Sequence, residues 1–442
     1  MVALTILVFW VFRAPFLAQP LVGEEGIFAD LYLNSPPGPD YGLMARINGI
    51  PLRAPLSHPA PLYESMTHLG SLARRYGWTP VPSMSSDMAI RSLNSLFQLA
   101  FWVTLAVTVP WRRERTQGIA IAAYLAMLIS PLAVGGSLYL QVDTTVGWLA
   151  CGILAIAVQA GGVSAWALSG LVLGFVGKQE WSICLALAAA MTLGWGLFMG
   201  QRRSAGPLGL VVLAALAGSF SSWTFDPVNW SEGADVMLSI AAEHTVLSTP
   251  SSLGSWFYNL LRLAPFLGAL TLGLATQAWL VLRRGWRRAE IRSAFGLSFS
   301  IALTAPFLMS TWVPEYRYVA PALAAVSAGM VFELLRTEVS RTLARRLVLI
   351  LGVSAALGVV FMTVSLLMAR SVTEGPMASV EGMLARERSE VLAARQTGCV
   401  PRLSSGFAYA LLDLDFVGSA ISVSDAEAIA AKAGRALCAD RG

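Results

Sequence analysis

Apolar runs of membrane-spanning length, separated by short polar stretches, constrain the fold of this chain more than any other feature. A hydrocarbon core about 30 Å thick is crossed by roughly 20 helical residues. The runs lack the apolar–polar alternation that a barrel strand needs. Charged residues make up 13% of the chain, against roughly a quarter of a soluble domain. We therefore expect an all-α polytopic membrane protein with about eleven transmembrane helices.

The runs and their breaks predict the positions of the spans. They are 1–20, 90–110, 117–135, 143–160, 163–178, 182–200, 205–223, 255–282, 293–312, 317–335 and 347–368. Arginines gather in alternate loops, at 112–115, 202–203, 283–292 and 336–346, whereas the short loops on the other side hold only Lys178 and Arg317. By the positive-inside bias, the arginine-rich side is cytoplasmic, the N-terminus lies inside and the C-terminal tail lies outside. Because the arginines form short clusters and no continuous face, the net charge of +5 does not indicate nucleic-acid binding.

Two long segments are expected outside the membrane. Residues 21–89 form a first loop too long for a mere connection, and residues 369–442 follow a membrane domain of residues 1–368 as a small tail domain. In the tail, the capping box Ser424–Glu427 predicts a helix running to about Leu437. Cys399 and Cys438, the only cysteines there, can form a disulfide in an oxidising compartment or stay as two free thiols.

The first loop opens with a short amphipathic pattern. At 100° per residue, Ile27, Phe28 and Leu31 share one helical face, and Glu24 lies in the middle of it. A helix lying on the membrane surface would partly desolvate this carboxylate and make it a better general base. The alternative reading is that Glu24 and Glu25 simply complement the positive end of the helix dipole.

A second surface helix is predicted further along the first loop. The proline-rich residues 36–39 end the first helix, and apolar side chains recur at helical spacing from Leu62 to Leu72. His58 lies in the turn before that second helix. It is placed either to contact a substrate or to order the turn.

The order of several short motifs resembles a known family. The motifs are Arg13, the pair Glu24-Glu25, His58-Pro-Ala-Pro-Leu-Tyr63, Gln141-Val-Asp143-Thr, Gly177-Lys178-Gln-Glu180 and Glu315-Tyr-Arg317-Tyr318-Val-Ala-Pro321. Together they resemble the class C glycosyltransferases that use polyprenyl-phosphate sugars, such as protein O-mannosyltransferases and lipid A aminoarabinose transferases. The resemblance covers roughly residues 10–335. The chain departs from it at Glu24, where the family has Asp, at Ala60, where it has Pro, and in the small tail.

The resemblance implies inverting sugar transfer at the periplasmic face of a bacterial inner membrane. The acceptor would be a lipid, a glycan or a protein, and membrane lipids would surround the enzyme. Glu24, or its neighbour Glu25, would be the base, and the expected phosphate ligands are Arg13, Lys178, Arg262 and Arg317, placed near the outer ends of spans. Snorkelling to lipid headgroups is the alternative for each cation. The expected substrate contacts are His58, Tyr63, Asp143, Glu315 and Tyr318, of which the two acids are also possible ligands of Mg²⁺ or Mn²⁺.

Two other functions fit a polytopic chain. A transporter or flippase of lipid-linked glycans needs charged groups within spans on both sides of the bilayer, whereas the polar groups read from this sequence concentrate outside. A non-catalytic assembly protein would use the tail as its docking module.

Overall fold

The computed structural model describes part of the chain. The described residues are 1–17, 46–47, 50–51, 86–111, 117–138, 143–176, 179–198, 205–222, 250–284, 290–309, 319–337, 341–373, 394, 396–401, 427, 430–431 and 434–438. Within these ranges nearly all of the secondary structure is helical, so the predicted all-α class is confirmed at that level.

The helices follow the predicted spans along the chain. In order, they are α1 (Val2–Leu17), α2 (Ser86–Thr108), α3 (Gln117–Leu128), α4 (Pro131–Leu138), a π-helical turn (Asp143–Gly147), α5 (Trp148–Ala160), α6 (Val163–Val176), α7 (Gln179–Phe198), α8 (Ala205–Ser222), α9 (Pro250–Arg283), α10 (Ile291–Met309), α11 (Ala320–Arg336) and α12 (Arg341–Thr373). Helical residues therefore lie at the position of every predicted span. The largest differences are at three helices: α2 begins four residues before its predicted span, α9 begins five before, and α12 extends beyond its span at both ends.

The predicted span 117–135 is interrupted by a break that the sequence analysis does not predict. It consists of α3 and α4, bent by 45° at Ile129 and Ser130. Pro131 explains the break, because it has no N–H to donate to the Met127 carbonyl. The Ser130 hydroxyl replaces that donor at 2.7 Å.

Helix α11 lies at the centre of the bundle. Every residue from Ala320 to Leu335 is buried, and the helix packs against α3, α5, α9 and α10. At its start, Ala320 lies against Gly136 of α4, since a Cβ on Gly136 would be 3.7 Å from the Ala320 Cβ. Helix α11 therefore runs from the α4 end of the bundle to the opposite end.

Helices α6 and α8 cross at very short range. Gly170 and Gly174 of α6 form a Gly-x-x-x-Gly pattern, and a Cβ on Gly174 would overlap the Ala215 carbonyl of α8. Gly218 of α8 meets the backbone of α6 in the same way. Small residues that let two backbones touch are typical of helix pairs packed in lipid.

Large apolar side chains are exposed on the outside of many helices. Val107 is 68% exposed, and Leu213 and Leu349 are each 66% exposed. No single helix among the described residues is both long and apolar enough to cross a membrane, whereas the bent pair α3–α4 meets those two criteria. Shorter apolar helical stretches of 10–17 residues occur in α1, α2, α5, α6, α7, α8, α9, α10 and α12, with the π-helical turn included in the α5 stretch.

Two short strands lie in the first loop, where the sequence predicts only helices and a turn. Strands β1 (Arg46–Ile47) and β2 (Ile50–Pro51) pair antiparallel, with Arg46 opposite Pro51. Asn48 and Gly49 separate them in the sequence, and this dipeptide is the strongest short signal for a two-residue hairpin loop. The predicted surface helices themselves lie outside the described residues.

The predicted tail helix ends before Leu437. Gly434 has a positive φ of 61°, and the backbone N–H of Arg435 donates to the Ala430 carbonyl at 3.0 Å. This is the Schellman pattern that glycine favours at a helix C-terminus. Leu437 instead forms a parallel bridge with Val400.

Candidate functional site

Arg13 is the only one of the four predicted phosphate ligands whose side chain the structure describes. It is fully buried in α1, and its Nε donates to the Ser137 hydroxyl of α4 at 2.7 Å. One terminal nitrogen donates to the Leu128 carbonyl at 3.2 Å and the other to the Phe9 carbonyl at 3.3 Å. No described carboxylate pairs with it. The guanidinium is therefore held by neutral acceptors and by the Phe9 ring, whose centroid lies 3.8 Å from Cζ.

The same serine joins α2 to this point. The Ser137 carbonyl accepts from Asn94 Nδ2 at 2.8 Å and from the Ser95 hydroxyl at 3.0 Å. We call Arg13, Ser137, Asn94 and Ser95 the Arg13 network. It links α1, α2 and α4, and all four side chains are buried.

Polar and aromatic side chains extend the network along α2. Gln98 Nε2 donates to the Thr144 carbonyl in the π-helical turn at 3.4 Å, while Gln98 Oε1 has no hydrogen-bond partner among the described residues. One turn further, Trp102 stacks edge-on with Tyr124, at 5.4 Å between ring centroids. Tyr124 donates its hydroxyl to the Trp102 carbonyl at 2.8 Å. The polar residues of α2 are therefore followed by a packed pair of aromatic side chains, Trp102 and Tyr124.

Most of the predicted site residues lie outside the described residues. These are Glu24, Glu25, His58, Tyr63, Lys178, Glu315, Arg317 and Tyr318. Arg262 lies in α9 and Asp143 begins the π-helical turn, but the structure describes only the backbone of these two residues. The structure nevertheless brings the last turn of α1 and the third turn of α2, the helices on either side of the first loop, together at Ser137.

A second polar cluster lies at the opposite end of α11. Glu333 is fully buried and forms ion pairs with Arg284 at 3.0 Å and with Arg336 at 3.2 Å. The Ser293 hydroxyl donates to the same carboxylate at 2.5 Å, and Arg336 also donates to the side chain and backbone oxygens of Gln159. We call these five residues the Glu333 cluster. It joins α5, α10, α11 and the end of α9.

Sequence reasoning missed the Glu333 cluster. It treats Arg284 and Arg336 as topology determinants, whereas both arginines neutralise a buried carboxylate. Glu333 itself was the available signal, since an acidic residue within an apolar helix needs a partner. Arg336 follows it at the i+3 position, which faces the same side of the helix.

Cys399 and Cys438 are joined in a disulfide, with their Cα atoms 5.0 Å apart. Glycines end the helical turns on both sides of it, because Gly398 has φ of 71° and Gly434 has φ of 61°. The Cys438 N–H donates to the Val400 carbonyl at 2.8 Å. The structure therefore contains the pairing that the sequence predicts for an oxidising compartment.

Comparison with protein-family models, with curated proteins and with solved structures finds no match to this chain. Within the described ranges, no three His, Cys, Asp or Glu side chains come together to hold a metal ion.

Proposed function

We propose that this protein is a polytopic membrane glycosyltransferase that moves a sugar from a polyprenyl-phosphate donor to a hydroxyl acceptor. The observation that carries the proposal is the Arg13 network, a buried cation without a described counter-ion at the end of the bundle where the first loop begins and ends. That loop contains Glu24, the predicted base. Transfer from a phosphate-linked sugar requires a base for the acceptor hydroxyl and positive charge that favours the departing phosphate.

The distribution of polarity supports a membrane location. Arg13 and Glu333 are fully buried, while leucines and valines on α1, α2, α6, α7, α8 and α12 are exposed. A protein in water exposes its charged side chains, whereas a protein in hydrocarbon buries them and exposes apolar side chains. The glycine contact between α6 and α8 supports the same environment.

The proposed topology has about eleven spans, with the N-terminus in the cytoplasm and the tail outside. The disulfide between Cys399 and Cys438 supports an external tail, because the cytosol keeps thiols reduced. On this topology the Arg13 network faces the periplasm of a bacterial inner membrane, and the Glu333 cluster faces the cytoplasm.

The proposed reaction is a single displacement that inverts the anomeric carbon. Glu24 accepts the proton of the acceptor hydroxyl while the acceptor oxygen bonds to the anomeric carbon. The bond from that carbon to the phosphate oxygen breaks, and polyprenyl phosphate leaves with the electron pair. Lys178, Arg262 and Arg317 are the proposed cations that stabilise the leaving phosphate, and Glu25 is the alternative base.

Mass spectrometry of the purified, full-length protein tests the proposal. The protein is incubated with polyprenyl-phosphate sugars and a mixed acceptor extract, with wild type beside Glu24→Gln. We expect wild type to consume the donor and release polyprenyl phosphate, because the leaving group takes the electron pair. Glu24→Gln should do neither, because it cannot accept the acceptor proton.

Glu290→Gln is the matched control, since Glu290 is exposed in the loop before α10 and lies on the cytoplasmic side of the proposed topology. It should transfer sugar as wild type does. Full activity of Glu24→Gln would remove Glu24 from the mechanism. Donor consumption by neither protein, together with no donor binding, would contradict the transferase proposal.

The Glu333 cluster favours one alternative, a transporter of lipid-linked glycans. Buried ion pairs at the end opposite the Arg13 network place charges at both ends of the bundle, as a transporter requires. Such ion pairs also close one end of a bundle and would have to break during transport.

Vesicles that contain the purified protein distinguish the two functions. A labelled polyprenyl-phosphate sugar that crosses the bilayer without covalent change would support transport, and Glu333→Gln should then alter the crossing rate. Under the transferase proposal, the label moves to an acceptor and Glu333→Gln affects stability alone.

A further inference from the structure

We propose that Arg13 is a positioning residue, not a phosphate ligand. In this role it clamps the break between α3 and α4 and fixes both ends of the first loop. This inference deepens the proposed function and rests on it where it concerns Glu24. The clamp itself rests on contacts that are independent of any reaction.

The clamp begins at the broken helix. A bend frees carbonyl oxygens that a continuous helix would satisfy, and each one needs another donor when it is buried. Ser130 serves the Met127 carbonyl, and Arg13 serves the Leu128 carbonyl at 3.2 Å. A guanidinium suits this position because its planar fork donates in several directions at once.

The same side chain also contacts the second half of the break. Arg13 Nε donates to the Ser137 hydroxyl of α4 at 2.7 Å, and that hydroxyl donates in turn to the Val134 carbonyl at 2.7 Å. One residue of α1 therefore bonds to the last residue of α3 and to the final turn of α4. It holds the two halves at their 45° angle.

The clamp reaches both ends of the first loop. Arg13 lies four residues before the end of α1, and the loop continues from there towards Glu24. Asn94 and Ser95, in the third turn of α2 after the loop returns, bond to the Ser137 carbonyl. Ser137 is therefore the common point between the outgoing and returning helices. If Glu24 is the base, we expect a change at this point to alter its position.

The contacts of Arg13 argue against direct phosphate binding. Of the five N–H groups on its guanidinium, three are used within the protein, and the side chain is fully buried between Phe9 and α4. Lysine keeps the charge but cannot donate from three separate nitrogens. The two roles therefore predict different results for Arg13→Lys.

The test uses full-length protein in detergent and compares wild type with Arg13→Lys, Arg13→Gln, Ser137→Ala and the double variant Arg13→Gln/Ser137→Ala. The clamp predicts that Arg13→Lys and Arg13→Gln lower the melting temperature by similar amounts. It also predicts that Ser137→Ala lowers it in wild type but not in the Arg13→Gln background, because the shared contact is already lost.

Matched controls separate the clamp from general effects of substitution. Ser327→Ala removes another fully buried hydroxyl that bonds only within its own helix, and Arg346→Lys changes an exposed arginine on α12. Both should melt close to wild type. If the Arg13 variants do not fold, the melting temperatures of Ser137→Ala and Ser327→Ala still test the clamp. Equal decreases in the two variants would overturn it.

The kinetics of sugar transfer provide a second measurement, which does not depend on the stability of the variant. Ser137→Ala, assayed where it is fully folded, should lower kcat by about a hundredfold with little change in donor KM, because the base is misplaced. A raised donor KM for Arg13→Lys with wild-type melting would restore Arg13 as a phosphate ligand. If wild type transfers no sugar, the proposed function fails while the melting data still decide the clamp.

Discussion

Arginines near the two ends of α11 are held in opposite ways. Near its start, the Arg13 guanidinium donates to one hydroxyl and to two backbone carbonyls. At its other end, thirteen residues or about 20 Å further on, the Glu333 cluster encloses a carboxylate between two arginines. One end thus has an uncompensated positive charge among the described residues, and the other is balanced by ion pairs.

The difference shows what each end can do. A cation held by neutral acceptors keeps its electrostatic field, which attracts anions and stabilises a nearby ionised carboxylate. An arginine that already pairs with a carboxylate produces a much weaker electrostatic field around it. The first arrangement suits a site for anionic substrates, and the second suits a cross-link between helices.

Glu333→Gln should produce the largest effect, because it leaves the partly buried Arg284 and Arg336 without their counter-charge. We expect the free energy of unfolding to fall by about 3 kcal/mol, the lower end for breaking a buried pair, because both arginines keep some contact with solvent. Chemical unfolding in detergent measures this loss. Glu290→Gln, which removes an exposed carboxylate, should leave the free energy of unfolding unchanged. An equal loss in both variants would mean that the ion pairs of Glu333 do not stabilise this end of α11.

Ser293→Ala sharpens the comparison inside the Glu333 cluster. The Ser293 hydroxyl donates to Glu333 and accepts from Arg284 at 3.4 Å, so its removal should cost about 1.5–3 kcal/mol. Ser300→Ala is the control on the same helix, since the Gly296 carbonyl is the only partner of that hydroxyl among the described residues. Unfolding of both variants under identical conditions tests this ranking. Equal costs would show that Ser293 adds nothing to the ion pairs.

Gln277→Leu is expected to stabilise the protein by about 1 kcal/mol. Gln277 is fully buried, and neither its Nε2 nor its Oε1 has a hydrogen-bond partner in the described part of the chain. Gln159→Leu should do the opposite, because it removes bonds to Arg336 and to the Arg292 carbonyl. Thermal unfolding separates the two. A loss in Gln277→Leu would indicate that a buried water serves this amide.

Salt should have the smallest effect. Raising the ionic strength from 0.1 to 1 M shortens the screening length from about 10 to 3 Å, but buried pairs are screened little. The stability difference between wild type and Glu333→Gln should therefore stay constant across this range. A difference that shrinks with salt would mean that water reaches Glu333.

The helices could be predicted from the sequence because apolar periodicity and length depend only on local residues. Helical residues lie at all of the predicted spans, and the pairing of Cys399 with Cys438 follows from the few cysteines in the tail. Two further signals were present but unused. Pro131 indicates the break between α3 and α4, and Gly434 indicates the end of the tail helix.

The two polar clusters could not be predicted, because their partners come from distant parts of the chain. Arg13 meets Ser137, more than a hundred residues away, and Gln159 meets Arg336 at a still greater separation. A sequence shows that a buried charge needs a partner, but it does not show which one. The sequence therefore predicts Arg13 as a phosphate ligand, whereas its contacts favour a positioning role.

All four cysteines of the chain are accounted for. Cys151 and Cys184 are buried, and Cys399 and Cys438 are bonded to each other. The native protein should therefore react slowly with thiol reagents, so new cysteines can be introduced and labelled without removing the native ones. A single cysteine introduced at 202, or at 56 in the first loop, would then report by its reactivity with an impermeant maleimide which side of the membrane it faces.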